Sequence, residues 1–158
     1  MKYEVYRDIG VTDDFSLFEF FSIGKNGDIL KRVTFTRTED DRVYNLAFGD
    51  VDEADEIDDY VVTDNGERNK VLATVAFIAE AYTRRFPDHW ILFRGSTQER
   101  LRLYRMAVGL HLEELSVLYE IWALVDVGIV KFRKNLKINA FLIRRKIVTL
   151  AYETCHQI

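Results

Sequence analysis

Val71-Leu72-Ala73-Thr74-Val75-Ala76-Phe77-Ile78-Ala79-Glu80-Ala81-Tyr82 follows the turn-forming Asp64-Asn65-Gly66, and the change of period there decides the fold. Val71, Val75, Ile78 and Tyr82, flanked by Leu72, Ala79 and Phe86, fall at helical i, i+4, i+7 spacing. That predicts a helix with one apolar face over residues 67–86. Pro87 ends it, because proline lacks an N–H and keeps the residue before it out of the α region.

Upstream the period is two. Phe-rich Leu17–Ile23 leads through Gly24-Lys25-Asn26-Gly27-Asp28 into Ile29–Arg37, where Val33 and Phe35 alternate with Arg32, Thr34 and Thr36. This is strand–turn–strand patterning. Tyr44, Leu46 and Phe48 alternate with Val43, Asn45 and Ala47 in a third strand, and Ile57–Val62 reads as a fourth. Downstream, Trp90–Phe93 reads as a short buried strand, and Ser96-Thr97-Gln98-Glu99 as a capping box. The box opens a second helix over 97–115, with Leu101, Tyr104, Val108, Leu112 and Leu115 inward. Val117–Val125 and Gly128–Arg133 then form a hairpin, with Ala140–Arg145 a further strand. The order β-β-β-β-α-β-α-β-β implies an α+β fold: a mainly antiparallel sheet with two principal helices on one face. Residues 1–146 are expected to form one domain, and 147–158 a tail of unassigned structure.

Composition agrees with a packed core. The 158 residues are 48% hydrophobic, with eleven Phe, eight Tyr and two Trp, and only eight Gly and one Pro. Disordered chains lack such aromatic content. The chain opens Met1-Lys2-Tyr3-Glu4 with no apolar leader behind it, and the longest apolar-leaning stretch, Ile121–Val130, is broken by Asp126 and Gly128. The lone Cys155 gives no sign of an oxidising compartment, so a cytoplasmic location without membrane contact is expected by elimination. The net charge of −4 is uneven: residues 1–79 carry 9 basic and 18 acidic side chains, residues 80–158 carry 13 and 8. Such asymmetry fits a nucleic-acid face, but complementarity within the chain or across a homo-oligomer explains it more simply.

No CxxC, HExxH, Walker loop, GxGxxG or Gly-x-Ser-x-Gly is present, and His89, His111 and His156 are scattered. No catalytic residue, cofactor or metal ligand is therefore assigned. Seven of the ten residues Asp50–Asp59 are acidic. Hard cations use such carboxylates, but Asp55 and Val61 fail the EF-hand pattern, and a solvated loop or charged sheet edge explains the run more simply.

Two cationic segments remain. Lys131, Arg133, Lys134, Lys137, Arg144, Arg145 and Lys146 fall within sixteen residues free of acids, with Phe132 and Phe141 among them. Cations interleaved with aromatics suit nucleic acid, whereas strand periodicity assigns both rings to the core. At the other segment, Arg94-Gly95-Ser96-Thr97 carries a buried strand into a helix start, with Arg100 and Arg102 following. Free N–H groups and the helix dipole favour an anion there. The alternative is a well-capped helix whose arginines serve the fold.

Tyr44-Asn45-Leu46-Ala47-Phe48-Gly49-Asp50, Ile57-Asp58-Asp59, Val71–Ala76, Phe86-Pro87-Asp88 with Trp90, and Gly95-Ser96-Thr97 with Arg100, Arg102, Leu103, Tyr104, Arg105 and Met106 carry a resemblance. Through them the chain resembles an uncharacterised domain family of Bacteroidetes-type bacteria that has no assigned function. The likeness spans most of residues 1–146. His89 and Leu101 depart from it, His89 standing where a small residue is expected and Leu101 where a small polar one is. The expectation is a non-enzymatic binding module for a protein or nucleic-acid partner. The competing expectation is an enzyme acting on a phosphorylated or nucleotide substrate at the Gly95-Ser96-Thr97 junction.

Overall fold

The computed structural model describes residues 3–58, 67–95 and 97–147. The strands are β1 (Gly10–Val11), β2 (Leu17–Gly24), β3 (Gly27–Arg37), β4 (Val43–Val51), β5 (Ile57–Asp58), β6 (Trp90–Phe93), β7 (Tyr119–Val125), β8 (Gly128–Lys131) and β9 (Ala140–Arg145). The helices are α1 (Arg68–Arg85), α2 (Gln98–Leu110) and α3 (Leu112–Leu118). One sheet runs β1-β2-β3-β4-β6-β9-β7-β8, with β5 on the flank of β4. Every pairing is antiparallel except β4 with β6. A parallel pair needs a long crossover, and α1 lies within it. The α+β expectation holds.

Alternation selects the buried face. Val33 pairs with Phe18 and Phe48, Phe35 with Leu46, Leu46 with Phe93, and Phe93 with Phe141. All seven residues therefore share a face with Ile91 and Ile121, and α1 covers it with Val71, Val75, Ile78, Ala79 and Tyr82. Tyr82 stacks on Phe35 at 3.8 Å between ring centroids, and Tyr104 of α2 meets Phe93 at 4.6 Å. The opposite face keeps Phe21 and Ile23 exposed. On that face Arg144 lies 4.3 Å over the Trp90 ring and pairs with Glu120 at 2.9 Å.

Three elements differ from expectation. Helical structure ends at Leu118 rather than before Val117, because Val117 faces solvent on the helix and adds nothing to the strand face. The second helix breaks at His111, so the described residues hold three helices, where two principal ones were expected. The first strand pair of the sheet includes Gly10–Val11, two residues too short to show a period. Of the expected Ile57–Val62 strand, Ile57–Asp58 is β5 and the remainder lies outside the described residues, as do Ser96 and the tail from 148.

Candidate functional site

β3 pairs with one flank of β4 along Tyr44–Asp50, leaving the other flank to β6 at Val43–Leu46 and β5 at Asp50–Val51. Between them, at Ala47–Gly49, the flank has no strand partner among the described residues. Arg100 reaches into that gap: its side chain is buried, and Nη1 donates to the Phe48 carbonyl at 3.3 Å. A buried guanidinium needs such acceptors, because stranding its donors away from water is costly.

The gap widens into a recess of about 300 Å³ lined by Asn45, Ala47, Phe93, Arg94, Gly95, Arg100 and Tyr104 among others. Of the expected anion-site residues, Arg94, Gly95 and Arg100 meet here. Arg94 is exposed, and Arg102 is exposed but does not line the recess. Gly95 is tight for an internal reason. A Cβ there would stand 2.6 Å from the Leu101 nitrogen, so what approaches its backbone is the first turn of α2 itself. The cap falls one residue later than expected: Thr97 Oγ1 accepts from the Arg100 backbone N–H at 3.1 Å. Both hydroxyls satisfy the sequence rule, and the extended backbone of Thr97 (φ −129°, ψ 161°) gives it the cap geometry.

Asn45 and Ala47 escaped the sequence reading. Only the β4–β6 pairing brings them beside Arg94, and a pairing so distant in sequence leaves no local trace. The buried ion pair of Lys31 with Asp50 was legible in principle. Lys31 continues the inward stripe of Val33 and Phe35, and Asp50 that of Leu46 and Phe48.

The acidic run is partly absorbed by its own turn. Asp52 Oδ1 accepts from the Ala54 and Glu56 N–H groups at 2.9 and 3.0 Å, and Asp55 pairs with Arg32 at 2.6 Å. Among the described residues no group of three His, Cys, Asp or Glu side chains is placed to hold a metal ion.

The basic segment divides. Strand alternation sends Arg144 to the open face and Arg145 inward, over the Tyr119 ring at 6.0 Å. Phe132 and Phe141 are buried and pack edge-on at 5.0 Å, so neither can stack a base. Lys131, Arg133, Lys134 and Lys137 stay exposed on β8 and the connection to β9, and no carboxylate among the described residues lies in ion-pair range of them. Three of them line a recess of about 400 Å³ with Val125, Val127 and Leu136, and with Asp126, which accepts from Asn139 Nδ2 at 3.0 Å.

Fold and recesses together define an α+β domain whose helices cover one sheet face. The chain belongs to a family of unknown function (DUF6934), whose model matches residues 2–146. No curated protein and no solved structure is significantly similar to it. Among the described residues no helix is long and apolar enough to cross a membrane.

Proposed function

We propose that the protein is a non-catalytic binding module that holds the phosphate backbone of a nucleic acid on the β8–β9 connection. The observation that carries this reading is the set Lys131, Arg133, Lys134 and Lys137: four exposed cations within seven residues, without partner carboxylates among the described residues, three of them lining one recess. Isolated surface cations gain little from an exposed carboxylate, but a clustered set releases counterions from a phosphate chain. Burial of Phe132 and Phe141 directs the contact to phosphates rather than to stacked bases.

A second reading retains a phosphorylated or nucleotide substrate at the Gly95 junction, supported by the exposed Arg94 on a recess that the family-like segments around Asn45 and Gly95 share. One experiment separates the two. Short single-stranded and duplex oligonucleotides are titrated at several salt concentrations while the amide spectrum is followed. Four phosphate contacts predict an affinity that falls with a log–log slope of about 3 against salt, shifts centred on residues 131–137, and loss of binding in a Lys131→Ala, Arg133→Ala, Lys137→Ala triple variant. Shifts at 94–100 instead transfer the site to the junction. No binding at low salt removes nucleic acid.

A further inference from the structure

The geometry points to a ligand site elsewhere: the cleft between α1 and the α2–α3 pair receives a small, uncharged, apolar molecule about the size of one aromatic ring. A cavity of about 140 Å³ lies there, floored by the inner faces of β4, β6, β7 and β9. Protein interiors pack to crystal density, whereas here three helices and a sheet leave an apolar cleft between them that is open on one side. Ala76 and Ala79 on α1 face Ala107 on α2 across it, where a leucine on either helix would fill the space.

The lining decides the chemistry. Among the described residues no charged side chain lines the cavity, and the polar side chains that do are those of two tyrosines. The Tyr119 hydroxyl is already engaged with Thr83 Oγ1 at 3.3 Å, and burial pushes the phenol up, which keeps it neutral. Water needs two to four polar partners to stay in such a space, and apolar cavities of roughly 150 Å³ remain dry and take up benzene-sized molecules. A charged ligand would lose its hydration and gain no partner. Leu72, Val108 and Leu115 are only half-buried, so the cleft has a mouth at the surface. This site is independent of the cationic recesses and stands or falls separately from them.

Toluene is the probe, with benzoate as the same ring bearing a charge. Titrating toluene into the full chain labelled at its methyl groups should shift Leu72, Val75, Val108 and Leu115 saturably and raise the melting temperature by linkage, whereas benzoate leaves all four unmoved. Ala76→Leu, or Ala107→Leu should the first fail to fold, should keep a cooperative melt and abolish the toluene response. The proposal is overturned by any of three results: no saturable shift in the wild-type chain, an equal response to benzoate, or shifts in the same methyls that follow protein concentration, which would give the cleft to a second copy of the chain.

Discussion

The imidazole of His89 is clamped between two rings, Tyr44 at 4.0 Å and Phe86 at 4.7 Å between centroids, both within 7° of parallel. Its Nδ1 lies 2.8 Å from the Tyr82 hydroxyl, whose phenol burial pushes well above the ordinary range. A phenol that stays protonated donates to Nδ1 only while that nitrogen is bare, so protonating His89 forces the hydroxyl to turn. Burial likewise holds the His89 pKa below its ordinary 6.5, against a smaller opposing pull from Asp88. The unfolded chain therefore binds a proton at a pH where the folded chain does not. Stability that is complete above the unfolded value is lost as pH falls through and below it. Urea melts between about pH 7.5 and 5.5 should show falling stability, and His89→Phe, which keeps the stack, should flatten that slope. Asp14, which Ser16 holds down to about 2, titrates far below this window. An unchanged slope in the variant would assign the pH response to other groups. None of this was legible in the sequence, where His89 stood out only as a departure from the resemblance. By contrast Arg100, expected to grip an anion, sits four residues from Tyr104 and beside Leu101, a spacing that already placed it on the inward face.

Elements were legible wherever a period ran long enough. α1 and β3 each repeat their apolar spacing several times, and both lie within a few residues of expectation. The α2–α3 break at His111 was not, because Leu112 and Leu115 continue the helical period across it and the backbone turn (φ −108°, ψ 20°) leaves no apolar signature. Glycines separate two physical cases on α2. Gly95 abuts the first turn of the helix, where a methyl would collide with the Leu101 nitrogen at 2.6 Å and the Arg100 Cβ at 2.9 Å. Backbone cannot give way as a side chain can, so Gly95→Ala should displace α2 and destabilise the fold by more than the roughly 1 kcal/mol of a lost cap. Gly109 lies in the last turn, and a methyl there meets only Lys134 Cγ at 3.7 Å. Gly109→Ala should stabilise by roughly 0.5–1 kcal/mol through helix propensity. Denaturation midpoints of the two variants should move in opposite directions. A neutral Gly95→Ala would mean that the junction is loose enough to admit a ligand after all.

At the scale of the molecule, the sheet order was beyond reach of a single sequence, since β4 meets β6 and β6 meets β9 across 40 or more intervening residues without any local mark. That order gives β6 a disproportionate role. It has four residues, yet among the described strands it alone joins the β1–β5 part of the sheet to β7–β9. Its hydrogen bonds are too few to couple two halves, at about 1 kcal/mol net apiece. The shared core supplies the rest. Ile91 is fully buried at the centre of β6, and α1 touches both halves, with Tyr82 stacked on Phe35 and Thr83 Oγ1 at 3.3 Å from the Tyr119 hydroxyl. The chain should accordingly open as one cooperative unit. Ile91→Ala leaves a cavity where both halves meet and should cost about 2–5 kcal/mol, lowering the urea midpoint with no change in its slope. Native-state hydrogen exchange should then show the slowest amides of β3 and of β7 losing protection by the same amount, because both are released only by the global opening. If β7 amides lose protection while those of β3 keep theirs, the two halves are separate folding units and β6 is a seam between them.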